Sequence, residues 1–163
     1  MSARILDIDG RTDIPRVLFV DDDAGNRQAF HAAFRKEFDV MTASGMEEAW
    51  LFLSNRGVDV LITDQRMPGT PGSELLRLVR EHFPQVRRML LTGYSDLQAL
   101  VDAINQGGVI NYITKPWDPD QVRHLVNAAF SEVRAERDRT AYTQQLLESN
   151  RQLEFALRQR LLS

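Results

Sequence analysis

The sequence predicts an α/β fold built on a doubly wound parallel sheet, and two observations carry that reading. Five short apolar runs, Val17–Val20, Val40–Ala43, Val58–Thr63, Met89–Thr92 and Val109–Thr114, are mostly β-branched or aliphatic and are bounded by turn-formers or charge. Helical patterns separate them, near residues 24–36, 46–55, 72–82 and 96–106, and a last one starts near Pro119. Strict alternation of strand and helix implies a parallel sheet covered on both faces. Right-handed crossovers then leave few topologies.

The elements follow in chain order. The first strand ends at Asp21-Asp22-Asp23, and a helix is expected after these acids. In the second helix, Ala49, Leu51, Phe52 and Leu53 form the expected apolar side. In the third, Leu75, Leu76, Val79 and Phe83 do the same. Pro119 suits the first turn of the fifth helix, because its missing N–H has no helical partner there.

The 163 residues suffice for one domain and an appendage, and 43% hydrophobic with 26% charged residues fits a globular chain. No apolar run is long enough to span a membrane, and the mixed-polar N-terminus does not read as a secretory signal. The chain has no cysteine, which excludes disulfides and thiolate zinc sites and fits a cytoplasmic setting. A net charge of −3 gives no electrostatic footprint for nucleic acid.

Sites in open parallel sheets form beyond the carboxyl ends of the strands. Here those ends carry Asp21, Asp22 and Asp23 after the first run, Asp64 after the third, Thr92 on the fourth, and Thr114-Lys115-Pro116 on the fifth. Carboxylates gathered from neighbouring strands repel one another unless a cation is bound. Mg²⁺ fits such a site, since it takes few protein carboxylates and keeps room for water and phosphate oxygens. A carboxylate beside it can attack a phosphoryl group. An ammonium and a hydroxyl stabilise the charge spread over the transferred oxygens. Each residue alone has an ordinary alternative: Asp23 as a helix cap, Thr92 as a turn residue, Lys115 as a loop lysine. Their joint placement at alternating strand ends favours phosphoryl chemistry.

The segments VLFVDDD, ITDQRMPGTPGSELL, LLTGYSD and NYITKPWD resemble the receiver domain of two-component response regulators over residues 16–130. All five signature positions of that family occur in order. The resemblance implies a flavodoxin-like (βα)5 sheet with strand order 2-1-3-4-5. It makes Asp64 the phosphoacceptor. Asp21 and Asp22 become the acidic pair for Mg²⁺, Asp22 directly and Asp21 mainly through water, with the backbone carbonyl of Arg66 as a further ligand. Thr92 becomes the switch hydroxyl, Tyr112 the switch aromatic, Lys115 the phosphate-binding ammonium, and Pro116 a cis-proline. It further implies a histidine kinase as phosphodonor. Phosphorylation would repack the face made by the fourth helix, fifth strand and fifth helix. Pro71 departs from the family pattern, standing where a polar residue is usual, and is expected to stiffen the turn. Arg66 and Tyr94 are bulky at positions that tune water access, so slow self-dephosphorylation is expected.

The last helical pattern runs on past residue 130 without Pro or Gly. Leu146, Asn150, Leu153 and Leu157 follow a 4-3-4 spacing, a coiled-coil seam with one polar position. Val126, Ala129, Val133, Thr140 and Leu147 suggest an upstream seam in another phase, a stutter-like break. The expectation is an N-terminal extension over 1–15, a receiver over 16–130, and a coiled-coil linker helix over 131–163. That helix would form a parallel homodimer through residues about 126–163 and lead to an output domain beyond Ser163. Receivers with a similar dialect precede sigma-54-type activators, cyclic-di-nucleotide enzymes and HD-GYP phosphohydrolases, and no enzyme activity is assigned to this chain itself. The rival readings are a haloacid dehalogenase-like phosphohydrolase with Asp21 as nucleophile, and a dimerisation module that is never phosphorylated. The hydrolase reading lacks the usual Thr at Gly25 and leaves Asp64 without a role.

Overall fold

A computed structural model describes residues 13–93, 98, 100, 101, 104, 105 and 111–162. Five parallel strands lie in the order β2-β1-β3-β4-β5, as the resemblance implied. They are β1 (Arg16–Val20), β2 (Asp39–Ala43), β3 (Val60–Asp64), β4 (Arg87–Thr92) and β5 (Asn111–Thr114). The helices are α1 (Ala24–Phe34), α2 (Met46–Asn55), α3 (Gly72–His82) and α4 (Pro119–Leu162). The helical pattern near 96–106 and the start of the fifth run lie largely outside the described residues. One boundary moved inward: the third run begins at Val58, but the strand begins at Val60, and the Asp59 carboxylate accepts the Arg16 N–H at 2.9 Å just before it.

Side chains alternate across the sheet. Leu18, Val20, Met41, Leu61 and Leu90 pack with Ala49 and Leu53 of α2 and Leu75, Leu76 and Val79 of α3. Val17, Phe19, Val60, Ile62, Met89 and Ile113 pack with Phe30 and Phe34 of α1 and Val122, Val126 and Ala129 of α4. Phe19 stacks on Phe30 with ring centroids 4.2 Å apart. Two expectations need correction here. Leu51 is 63% exposed and takes no part in the core; Trp50 turns inward instead, edge-on to Phe83 and His82. Val126 and Ala129 are buried against the sheet, so they belong to the domain core and leave the expected dimer seam. The phase break in the sequence therefore has a physical cause: the first turns of α4 bury their apolar stripe, Val122, Val126 and Ala129, in the core on this face of the sheet.

The chain divides into two units, one over Ile14–Phe130 and a second that holds the rest of α4 from Ser131. Within the second, Tyr142, Leu146, Leu147, Leu153, Phe155 and Leu157 are all exposed. Among the described residues no helix is long and apolar enough to cross a membrane.

Candidate phosphoryl-transfer site

The site is assembled by the sheet. Pairing of β1 with β2 and β3 sets Val20 beside Ala43 and Thr63, so the residues just beyond, Asp21 and Asp64, emerge on adjacent strands. Asp21, Asp22 and Asp64 each offer a carboxylate oxygen, and these oxygens lie within 4.8 Å of one another. Asp21 is fully buried, Asp64 nearly so, and Asp22 is exposed. Asp23 caps α1, its Oδ1 accepting the Asn26 N–H at 3.0 Å. Three adjacent acids thus have three different surroundings.

Both oxygens of Asp21 are already engaged. Oδ1 accepts the Asp23 N–H at 2.9 Å, and Oδ2 accepts from Asn26 Nδ2 at 3.0 Å. Burial pushes its pKa up, the two hydrogen bonds pull it down, the Asp64 charge raises it again and Lys115 lowers it; the net direction is upward. A carboxyl whose folded pKa is raised adds stability below its ordinary range, and that stability is lost as pH rises through the raised value. Asp21→Asn removes the titrating group, so stability in EDTA is expected to lose part of its fall with rising pH in denaturant unfolding, while Mg²⁺ binding weakens in a calorimetric titration.

Asp64 meets its partners on one oxygen. Oδ1 accepts the Gln65 N–H at 2.9 Å and pairs with Lys115 Nζ at 2.5 Å. Lys115 arrives there because its own N–H donates to the Thr92 carbonyl at 2.9 Å, extending the β4–β5 ladder by one step. The Lys115–Pro116 peptide is cis. Thr92 is buried, and its hydroxyl donates to the Gly93 carbonyl at 3.2 Å. Tyr112 on the outer strand is 50% exposed. Arg66 lies in the turn after Asp64 with its side chain exposed. Tyr94 lies outside the described residues. The sheet thus gathers Asp21, Asp22, Asp64, Thr92 and Lys115 at one edge, and leaves Tyr112 on a solvent-facing position of β5.

Sequence reasoning missed three supporting residues. Asn26 orients Asp21; its only sequence signal is an amide one helical turn past the acids. Gln65 serves the first turn of α3, where the N-cap residue Pro71 makes no side-chain hydrogen bond. Its Oε1 accepts the Ser73 N–H at 2.8 Å, and its Nε2 donates to Ser73 Oγ at 3.2 Å. Gly72 opens α3 directly against the Asp64 carbonyl. The Pro71 departure is therefore compensated from the other side of the loop.

A bundle of carboxylates answered by one ammonium, on the carboxyl edge of a 2-1-3-4-5 sheet, invites comparison with known proteins. The description "Response regulator receiver domain" matches residues 17–127. The hydrogenase transcriptional regulatory protein HoxA of Cupriavidus necator is 38% identical over 120 residues, which cover 74% of this chain and 24% of that one. The DNA-binding transcriptional regulator NtrC of Escherichia coli is 34% identical over 116 residues, 71% of this chain and 24% of its own. The signal receiver domain of an HD domain-containing protein from Pseudomonas fluorescens Pf-5 superposes with a TM-score of 0.72 at 28% identity, covering 75% of this chain and 98% of that chain. The chain spans about a quarter of the length of the curated relatives it matches. With the strand order, the gathered strand-end residues and the match over 17–127 all in agreement, the chain belongs to the response regulator receiver domains, the regulatory input modules of two-component systems.

Proposed function

We propose that the chain is a phosphoacceptor receiver: Asp64 takes a phosphoryl group from a histidine kinase, and the changed state passes to an output domain. The observation that carries this reading is Lys115 Nζ at 2.5 Å from Asp64 Oδ1, at the edge of the three-carboxylate cluster. The donor set fits a hard divalent cation, with Asp22, Asp64 and the Arg66 carbonyl as direct ligands and Asp21, whose oxygens are both hydrogen-bonded, acting mainly through water. Bound there, Mg²⁺ offsets the charge of the acids and of the incoming phosphoryl oxygens.

The chain's own residues perform the rest. Both partners of Asp64 fall on Oδ1, which leaves Oδ2 for attack. A P–O bond forms to that oxygen as the P–N bond to the donor histidine breaks; the imidazole leaves with the bonding pair and takes up a proton. Lys115 then holds a phosphoryl oxygen. Thr92 exchanges its acceptor, the Gly93 carbonyl, for another phosphoryl oxygen. Tyr112 turns inward behind it, and the outer face of β5 and the start of α4 repack.

The test is to incubate the protein with acetyl phosphate and Mg²⁺ and map the label by peptide mass. Asp64 is the expected carrier. A label on Asp21 would establish the hydrolase reading instead; the two hydrogen bonds that occupy Asp21 speak against it. No label and no beryllium fluoride binding would point to a dimerisation module. Because Arg66 and Tyr94 are bulky, the phosphorylated form is expected to persist for minutes, followed by phosphate release; loss within seconds would sink that expectation.

The second unit supports a dimer with a shorter seam than residues 126–163, starting beyond the turns that serve the core. Exposed Leu146, Leu153 and Leu157, with Asn150 among them, form the candidate parallel seam. Leu153→Asp is expected to convert the dimer to monomer in analytical ultracentrifugation, with Asp64 labelling retained. A cytoplasmic setting follows from the kinase partner and belongs to the same proposal.

A further inference from the structure

Lys115 stands on a short turn between β5 and α4, and only one side of that turn is fixed by the sheet. On the N-terminal side, the Lys115 N–H donates to the Thr92 carbonyl. On the C-terminal side lies Trp117, two residues on. Its ring sits 5.8 Å from Phe30 and 5.6 Å from Phe34, centroid to centroid, on the core-facing side of α1. Phe30 is itself stacked on Phe19 of β1, the strand that ends at the acids. Arg123 closes the group. Its guanidinium lies 5.8 Å from the Phe34 ring centre and pairs with Glu37 beyond α1 at 2.5 Å and with Asp120 in the first turn of α4 at 2.6 Å.

We infer that Trp117 is a positioning residue for phosphoryl transfer: by wedging against Phe30 and Phe34 it fixes the Lys115 turn to α1 and so holds the ammonium on Asp64. The inference rests on the receiver reading above. Its physical basis is that a lysine side chain is long and flexible, and a third of the Lys115 side chain is exposed to solvent. A 2.5 Å contact to Asp64 needs the backbone held on both sides of the lysine. Large aromatic rings supply that rigidity, because they bury much area while freezing few torsions. The wedge also joins the two halves of the site. Asp21 and Asp22 lie between β1 and α1, whereas the cation precedes α4; Trp117 is where α1 and the root of α4 meet through aromatic rings. Trp117 touches no reacting atom, so its effect must pass through Lys115.

That dependence makes a double-mutant cycle decisive. Phosphorylation by acetyl phosphate is measured as a rate for wild type, Trp117→Ala, Lys115→Ala and the double variant, with melting temperature and Mg²⁺ affinity recorded for each. Trp117→Ala is expected to slow the rate about tenfold or more, since small misplacements of catalytic groups are costly. Mg²⁺ affinity is expected to stay within about twofold, because Asp21 is held by Asn26 and the Asp23 N–H, and Asp64 by the Gln65 N–H, rather than by the wedge. In the Lys115→Ala background the same Trp117 change is expected to have no further effect. Multiplying losses in the double variant would overturn the inference and leave Trp117 as core packing only. If Trp117→Ala fails to fold, Trp117→Phe and Trp117→Leu replace it: phenylalanine should restore the rate to within about threefold and leucine should not. Equal rates for the two would also overturn it. Wild-type protein that takes no phosphoryl group would instead defeat the receiver reading itself.

Discussion

Asp64→Asn is expected to abolish phosphoryl uptake while leaving the fold intact. The amide is nearly the same size as the carboxylate and keeps an oxygen for the Gln65 N–H, which now donates at 2.9 Å. It loses the negative oxygen that attacks phosphorus, and a neutral amide is not a useful nucleophile at neutral pH. Two electrostatic changes oppose each other. Lys115 loses its carboxylate partner, and Asp21 loses the neighbouring charge that raises its pKa. The Lys115 ammonium is partly solvated, so the lost pair counts for less than a buried one would. Stability in EDTA is therefore expected to stay within about 1 kcal/mol of wild type. The measurement is intact mass after incubation with acetyl phosphate and Mg²⁺, paired with denaturant unfolding. Uptake by the variant at the wild-type level would move the nucleophile elsewhere, and Asp21 would be the first place to look.

The candidate site was legible because it lies where chain direction and topology force convergence. Asp21, Asp22, Asp64, Thr92 and Lys115 each sit at or just past the carboxyl end of a strand, and parallel pairing brings those ends to one edge whatever the loops do. Asp23 was equally legible as a cap, since a short acid before a helix has a local partner. What the sequence hid are contacts between residues far apart in the chain. Gln65 reaches across a loop to Ser73, and Trp117 meets Phe30 and Phe34 from the other end of the domain. Periodicity also shows which face of a helix is apolar without showing what covers it. Leu51 was read into the core and lies in solvent, with Trp50 taking the inward role. Val126 and Ala129 were read toward a partner chain and face their own sheet. In α2 the inward stripe includes Trp50 and not Leu51, and in α4 the stripe was real but the neighbour was its own sheet.

Gly72→Ala is the prediction with the largest combined effect on stability and function. A Cβ built at Gly72 would lie 2.2 Å from the Asp64 carbonyl oxygen, 2.9 Å from its carbonyl carbon and 3.1 Å from Gln65 Cα. All three are backbone atoms, so no side chain can rotate away. The strand cannot yield either, because every residue of β3 is buried between β1 and β4. The start of α3 must therefore move, and Gln65 must give up the Gly72 and Ser73 N–H groups, donated at 3.0 and 2.8 Å. The expected cost is about 3 kcal/mol in denaturant unfolding, the upper range for overpacking a core. Because the clash falls on the peptide of Asp64, the proposed phosphoacceptor, labelling of the folded fraction is expected to slow at least about tenfold. Gly69, three residues earlier, supplies the control. It needs a positive φ of 83°, yet nothing lies within 4 Å of a Cβ built on it. Gly69→Ala should therefore cost only about 1 kcal/mol of backbone strain and leave the labelling rate near wild type. Equal labelling rates for the two variants would mean that loop strain in general, and not contact with the Asp64 peptide, governs the site.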